Sequence, residues 1–166
     1  MDVLILIGSE SDMDTAVESE KVLNEMGVTY ELHICSAHRT PEKTRALVKR
    51  AEAEGAKVII AGAGMSAHLA GVVSAETVLP VIGIPMGGGA LNGMDALMST
   101  VNMPGGVPVA TVSIGKAGGK NAALLAVRIM ALSNKRLRKK LEAYRVKIAA
   151  EVEEADGRVQ KQRTGK

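Results

Sequence analysis

The sequence predicts a doubly wound α/β domain, in which helices cover both faces of a parallel sheet. Short apolar runs alternate with helix-like segments along most of the chain. Repeated strand–helix–strand order favours parallel strands joined by helical crossovers. The apolar residues are mainly small, unbranched or β-branched, and Tyr30 and Tyr144 are the only aromatic residues. Such side chains favour close packing of helices on a sheet.

Five strands are predicted. The first, at residues 3–7, is a continuous apolar run that ends at Gly8, which indicates a strand buried on both faces. The other strands are predicted at residues 28–35, 57–61, 80–84 and 108–114.

Capping residues predict the first two helices. Ser11 and Asp12 offer N-cap chemistry to a helix that runs to about residue 26. Thr-Pro-Glu at residues 40–42 predicts the next helix start, because Thr can cap, Pro suits the first helical position and Glu suits the positive end of the dipole. This helix should end at Gly55.

Later helices are predicted at residues 66–77, 94–101 and 119–132. The last of these is apolar on nearly every side, which is typical of a helix buried on more than one side. We therefore expect a neighbouring subunit, and so a homo-oligomer. A charged helix should follow at about residues 136–155, and residues 157–166 should form a flexible tail.

Length and composition predict one domain. The chain has 166 residues, and we assign residues 1–156 to the domain, with a core of residues 1–132 and a C-terminal helical extension. Hydrophobic residues make up 46% of the chain, which argues against disorder. The formal charge of +3 comes from residues 134–145 and from the tail, and aromatic stacking platforms are missing. Nucleic-acid binding is therefore not expected.

Cysteine usage and hydropathy predict a cytoplasmic protein. Cys35 is the only cysteine, which suits a reducing compartment. No signal-like segment follows Met1, and every apolar stretch is interrupted by Gly, Pro or polar residues before it reaches transmembrane length. We therefore expect no contact with a membrane.

Polar residues follow the first predicted strand. Ser9 and Ser11 place two hydroxyls beside a helix N-terminus, where backbone N–H groups and the helix dipole favour an anion. Asp12 can accept hydrogen bonds from sugar hydroxyls. Plain capping by Ser11 or Asp12 explains these residues equally well. The segment matches neither the Rossmann fingerprint nor the P-loop.

The second strand is followed by Ser36, His38 and Arg39. The planar guanidinium of Arg39 suits a phosphate, and the imidazole of His38 is a common general acid or base that could move a proton. A solvated loop histidine and a surface arginine are the alternative.

Glycine-rich turns follow the third and fourth strands. Gly62 and Gly64 allow a ligand close to the backbone, and His68 near the next helix either belongs to the site or is a capping or core histidine. Gly87–Gly89 could close over a substrate or simply connect elements. His33 is predicted to be structural. The histidines and Cys35 are not spaced like a zinc site.

Six motifs occur in a specific order. They are Gly-Ser-x-Ser-Asp at 8–12, Ser-Ala-His-Arg-Thr-Pro at 36–41, Ala-Gly-Ala-Gly-x-x-Ala-His-Leu at 61–69, Pro-Val-Ile-Gly-Ile-Pro at 80–85, Met-Pro-Gly-Gly-Val-Pro-Val-Ala-Thr at 103–111 and Lys-Asn-Ala-Ala-Leu-Leu-Ala at 120–126. Over residues 3 to about 150, the chain resembles the N5-carboxyaminoimidazole ribonucleotide mutase family.

The resemblance implies a flavodoxin-like, three-layer domain assembled as an octamer, with no cofactor and no metal. The substrate is a small ribonucleotide whose carboxylate moves from nitrogen to carbon 4 during de novo purine synthesis. By motif position, His38 would be the general acid and base. The substrate contacts would be Ser9, Asp12, Ser36, Arg39, Ser11, Ser66, His68 and Leu69, with His68 in the carbon dioxide pocket.

Some positions depart from the family pattern. Met65 and Ser66 stand where Gly and Ala are usual, and Ala70 stands where Pro is usual. A second branch of the family carboxylates aminoimidazole ribonucleotide with free carbon dioxide, and has Lys after the first histidine. Arg39, Pro41 and His68 indicate the mutase branch.

Three alternatives remain at this point. The first is the direct carboxylation, and the second is a non-enzymatic nucleotide-binding module, because fold does not fix function. The third treats the charged C-terminal helix as a docking element.

Overall fold

The computed structural model describes residues 1–164 and contains a five-stranded parallel sheet. The strands are β1 (Val3–Ile7), β2 (Tyr30–Ile34), β3 (Val58–Ala63), β4 (Val81–Pro85) and β5 (Ala110–Thr111). Their order is β2-β1-β3-β4-β5, and every neighbouring pair is parallel. This is the flavodoxin-like order, so the predicted fold class is confirmed.

Helices cover both faces of the sheet. They are α1 (Met13–Met26), α2 (Pro41–Ala53), α3 (Leu69–Ala75), α4 (Met94–Val101), α5 (Gly115–Ala131) and α6 (Lys135–Thr164), and a 3₁₀ turn (Glu10–Asp12) precedes α1. One hydrophobic cluster joins the sheet to α1, α5 and the start of α6, and another joins it to α2 and α3.

The central strands separate these two clusters. All of β1 is buried, with Val3, Ile5 and Ile7 in the first cluster. Leu4 and Leu6 belong to the second cluster. This alternation follows from the two-residue period of a strand, and explains why the whole run must be apolar.

Glycine allows α5 to approach α1 closely. A Cβ added to Gly119 would lie 2.2 Å from the Thr15 carbonyl oxygen. At the same contact, the buried Ser19 hydroxyl donates a hydrogen bond of 2.7 Å to the Gly119 carbonyl. Leu141 and Tyr144 of α6 pack against the same cluster. The second apolar side of α5 is therefore partly covered by this chain itself, and α5 alone does not require a subunit neighbour.

Several predicted bounds were wrong. The β5 ladder has only two residues, and α3 begins at Leu69 because residues before it form a turn. Helix α6 continues through Gly157 to Thr164, where a flexible tail was predicted. A helical glycine costs only about 1 kcal/mol relative to Ala, and the neighbouring residues are good helix formers. Gly165 and Lys166 lie outside the described residues.

Within residues 1–164, no helix is both long enough and apolar enough to cross a bilayer.

Candidate active site

The candidate site lies at the carboxyl edge of the sheet, where the strand order reverses. From β1 the chain moves outward to β2 and then returns to β3 on the other side of β1. Such a switch point leaves a crevice between the loops that follow the strands. Backbone hydrogen bonds join these strand ends, from Gly8 N to Gly62 O at 3.0 Å and from Cys35 N to Ile7 O at 2.9 Å.

A cavity of about 420 Å³ opens between the β1–α1 and β2–α2 loops. Its volume lies within the range of about 300–1,000 Å³ that is usual for small-molecule sites. The lining residues are Gly8, Ser9, Glu10, Ile34, Cys35, Ser36, Arg39 and Thr40. Three predicted site residues, Ser9, Ser36 and Arg39, are thus brought to one cavity.

Ser9 supplies the cap in the β1–α1 loop. Its Oγ accepts hydrogen bonds from Ser11 N at 3.4 Å and from Ser11 Oγ at 3.2 Å. Asp12 occupies the N-cap position of α1, but its side chain makes no capping hydrogen bond. The prediction that the Ser11 or Asp12 side chain caps this helix was therefore wrong, because a 3₁₀ turn that Ser9 caps comes directly before α1. The Asp12 carboxyl is not used in capping.

The Asp12 carboxyl lies in a partly buried position beside the cavity. Burial raises its pKa above the ordinary value, and a hydrogen bond from the Ser9 backbone partly offsets this effect. A Cβ on Gly8 would lie 3.7 Å from Asp12 Oδ2, so the carboxyl also lies close to the cavity wall. Hydrogen-bond donors on a ligand would relieve the poor solvation of this group.

The β2–α2 loop carries His38 and Arg39 in a short turn. Ser36 Oγ accepts a hydrogen bond of 3.2 Å from Arg39 N. Arg39 Nη2 donates a hydrogen bond of 3.2 Å to Gly8 O, and so joins this loop to the β1–α1 loop. His38 is exposed, directly precedes the lining residue Arg39, and is not itself among the lining residues.

Thr40 does not cap α2, contrary to the prediction from its motif. Its Oγ1 accepts a hydrogen bond of 2.8 Å from Ser36 N and donates one of 3.2 Å to Ser36 O. The hydroxyl is therefore used inside the loop. The sequence shows that Thr40 precedes a helix, but this position is compatible with both uses.

The β3–α3 loop holds His68 against Gly71. A Cβ on Gly71 would lie 1.9 Å from His68 Nε2, so only glycine leaves space for the imidazole in this arrangement. His68 occupies the N-cap position of α3, yet its side chain makes no capping hydrogen bond. Ser66 is exposed in the preceding turn. The Leu69 side chain is 1% exposed and packs in the core, so only its backbone can reach a ligand.

The glycine-rich β4–α4 loop lies beside that turn. Gly88 and Gly89 have φ values of 115° and 67°, which favour glycine. A Cβ on Gly89 would lie 3.6 Å from Met65 Cγ, which places the two loops in contact distance. The topology thus brings Gly87–Gly89 next to the turn that carries Ser66 and His68.

His33 is separate from these loops and has a structural partner. Its Nε2 lies 3.0 Å from Glu31 Oε2 within the edge strand β2. Arg50 Nη2 contacts Glu31 and lies 3.3 Å from His33 Nε2. The hydrogen bond with His33, together with Arg50, lowers the pKa of Glu31. Among residues 1–164, no group of three or more His, Cys, Asp or Glu is arranged to hold a metal ion.

Comparison with known proteins adds a second line of evidence. The family model described as AIR carboxylase matches residues 2–151. The N5-carboxyaminoimidazole ribonucleotide mutase of Bacillus subtilis is 52% identical over 141 residues, which cover 85% of this chain and 87% of the relative. The protein of that name from Pyrococcus horikoshii is 49% identical over 156 residues, which cover 94% of this chain and 87% of the relative.

A solved structure of similar fold supports the same family. The crystal structure of Treponema denticola PurE superposes with a TM-score of 0.85 at 34% sequence identity. The superposition covers 94% of this chain and 96% of that chain.

Proposed function

Since this chain belongs to the AIR carboxylase family, we propose that it is an N5-carboxyaminoimidazole ribonucleotide mutase, an isomerase of de novo purine biosynthesis. It converts N5-carboxyaminoimidazole ribonucleotide into 4-carboxy-5-aminoimidazole ribonucleotide. The observation that carries this assignment is the identity of about half of the residues, over most of the chain, with relatives that bear this name.

Nucleotide binding falls to the cavity between the first two loops. Arg39 and Ser36 bind the phosphate, since a guanidinium and a hydroxyl both donate to phosphate oxygens. Asp12 accepts hydrogen bonds from the ribose hydroxyls, with Ser9 and Ser11 beside it. The support is that Ser9, Ser36 and Arg39 line one cavity, and that the Asp12 carboxyl is free of capping.

His38 acts as general acid and then as general base. It protonates the exocyclic nitrogen of the substrate, the bond between that nitrogen and the carboxylate carbon breaks, and carbon dioxide is released. Carbon 4 of the imidazole then attacks the carbon dioxide, which leaves a tetrahedral carbon that bears both hydrogen and carboxylate. His38 removes this proton, so the residue returns to its starting state.

Retention of carbon dioxide falls to the β3–α3 and β4–α4 loops. His68 and Ser66 line the pocket, the Leu69 backbone contributes an N–H group, and Gly87–Gly89 closes over it. The support is the contact distance between Met65 and Gly89, which puts the closing loop beside the turn that carries Ser66 and His68.

Exchange of His38 separates an enzyme from a nucleotide-binding module. We expect His38→Asn to lower kcat by about 100- to 10,000-fold, because proton transfer is lost. Affinity for the product nucleotide, measured by calorimetry, should remain within a few-fold of wild type. As a matched control, His33→Asn should keep its turnover, because His33 lies in β2 beside Glu31. Undiminished turnover of His38→Asn would contradict the role of His38.

The active assembly is proposed to be an octamer in the cytoplasm. Met94, Met98 and Val101 form an exposed apolar stripe along α4, with exposed Leu91 in the turn before it, and this surface suits burial against another copy. The free thiol of Cys35 suits a reducing compartment. Light scattering of the purified protein should give the mass of eight chains, and a monomeric mass would contradict this proposal.

The alternative that the C-terminal helix α6 is a docking element applies only to part of this helix, because its start packs in the core. Leu137 near the start of α6 is 6% exposed and belongs to the first core cluster. Truncation after Leu132 would therefore damage the core. A docking role would have to belong to the second half of α6.

A further inference from the structure

We propose that Thr40 is a positioning residue. Its hydroxyl holds the turn that carries His38 and Arg39 in the backbone conformation that catalysis requires. The inference builds on the proposed function, in which His38 moves the proton and Arg39 binds the phosphate. Thr40 itself touches neither reacting atom in this account. It acts through the backbone of Ser36.

Three hydrogen bonds join the two ends of the turn. Thr40 Oγ1 accepts from Ser36 N at 2.8 Å and donates to Ser36 O at 3.2 Å. Thr40 N donates to the same Ser36 carbonyl at 2.9 Å. Both backbone polar groups of Ser36 are thus held by one residue, and the hydroxyl makes two of the three bonds.

The hydroxyl does this instead of capping α2. A threonine at an N-cap usually accepts from a backbone N–H in the first helical turn. Here Thr40 has backbone angles of φ −138° and ψ 53°, and its side chain makes no capping hydrogen bond. The hydroxyl has one proton to donate, and that proton goes back to Ser36 O. The helix loses a cap, and the turn is fixed at both ends.

The hydrogen bonds between Thr40 and Ser36 also set the direction of the Ser36 side chain. Ser36 Oγ accepts from Arg39 N at 3.2 Å, so its own proton is left to donate into the cavity that it lines. Lys43 Nζ fixes the strand end just before the turn, through a hydrogen bond of 2.8 Å to Ile34 O. Between these anchors lie Ala37, His38 and Arg39. Loss of the Thr40 hydroxyl would let this segment move while the rest of the fold stays.

Because Thr40 lies at the surface, loss of its hydroxyl should affect catalysis more than folding stability. Thr40 is exposed, so water can replace its hydrogen bonds to Ser36 when the hydroxyl is removed. Folding should therefore change little. Catalysis should change more, because a displacement of about 1 Å in a catalytic group can cost about 100-fold in rate.

The test compares Thr40→Val, which has the same shape without the hydroxyl, with Thr40→Ser, which keeps the hydroxyl. We expect Thr40→Val to lose about 10- to 100-fold in kcat/KM for the N-carboxylated nucleotide. The loss should appear in kcat, through His38, and in KM, through Arg39. Thr40→Ser should stay within about threefold of wild type.

Thr44→Val is the matched control, because the Thr44 hydroxyl donates at 3.2 Å to Thr40 O and has no bond to Ser36. It should keep kcat/KM near wild type, whatever it does to thermal stability. Full activity of Thr40→Val, or equal losses in Thr40→Val and Thr40→Ser, would overturn the inference. A wild-type protein without mutase turnover would instead overturn the proposed function.

Discussion

At the scale of single residues, the Asp12 carboxyl is held in a place that disfavours its charge. Burial raises its pKa, and the Ser9 backbone offsets only part of this. The folded protein therefore keeps the Asp12 proton at pH values where the unfolded chain, with a pKa of about 3.9, has lost it. Stability from this group is present below the unfolded pKa and is lost as pH rises through the folded pKa.

Asp12→Asn should therefore raise the free energy of unfolding at pH 7, and the gain should disappear below about pH 4. Urea denaturation of both proteins across this pH range measures the difference. Asp14→Asn is the control, because Asp14 is exposed and pairs only with exposed Lys116 at 3.2 Å, a contact that contributes little. A loss of stability in Asp12→Asn at pH 7 would contradict this account. Substrate affinity should fall, since the ribose would lose its charged acceptor.

Met65 has a backbone conformation that favours glycine. Its φ is 52°, and its side chain is 65% exposed, so packing does little to offset the strain. An L residue in this region is disfavoured by about 1–2 kcal/mol, while glycine adds unfolded-state entropy worth about 0.4–1 kcal/mol. Glycine, which the family resemblance predicts at this position, would adopt this conformation without the strain.

Met65→Gly should raise the free energy of unfolding by up to about 1 kcal/mol. Lys139→Gly is the control, because Lys139 is also exposed but lies inside the helix α6. That change should lower the free energy by about 1 kcal/mol. Chemical denaturation measures both, and equal destabilisation by the two glycines would show that Met65 is not strained.

Much of the site at this scale follows from sequence, because Ser9, Ser36 and Arg39 directly follow predicted strands. Parallel strands bring such residues to one edge. Side-chain partners do not follow in the same way. The Thr40 hydroxyl and the fit of His68 over Gly71 depend on rotamers and loop shape, and Leu69 has an apolar side chain that turns into the core.

At the scale of elements, the contact between α1 and α5 depends on the absence of a side chain at Gly119. A Cβ there would lie 2.2 Å from the Thr15 carbonyl oxygen, and a backbone atom cannot rotate away. Gly119→Ala should therefore force the helices apart and lower the free energy of unfolding by about 1–3 kcal/mol, the usual range for overpacking.

Gly157→Ala provides the contrast for this prediction. A Cβ at Gly157 would meet nothing within 4 Å, so only helix propensity changes. Alanine should stabilise the local helix by about 1 kcal/mol relative to glycine. We therefore expect this variant to keep or increase the helical circular dichroism signal. Thermal unfolding followed at 222 nm compares the two variants. If Gly119→Ala left the free energy of unfolding unchanged, α1 and α5 would have room for a side chain at this contact, which would contradict the prediction.

Element bounds were predicted best where a pattern has one explanation. The apolar run at β1 and the short α4 match their predicted residues. Helix α6 runs past its predicted end because a single glycine weakens a helix without stopping it. The β5 segment contains strand-forming residues, but only Ala110 and Thr111 pair with β4.

At the scale of the whole molecule, the order of the strands decides where the candidate site lies. The parallel strands place five loops along one edge, and the reversal of strand order at β1 opens a crevice between them. The family model covers residues 2–151, which is nearly the entire domain. The sequence predicts this arrangement through repeated strand–helix alternation. The number of subunits does not follow from it, because the apolar side of α5 that faces away from the sheet is covered in part by α6.

The central claim is that the carboxylate comes from the substrate itself. The most direct measurement offers the purified protein either N5-carboxyaminoimidazole ribonucleotide, or aminoimidazole ribonucleotide with modest bicarbonate, and follows product formation by ultraviolet absorbance. We expect fast turnover of the first substrate and little of the second. Fast turnover of the second and little of the first would contradict the claim and indicate direct carboxylation with free carbon dioxide.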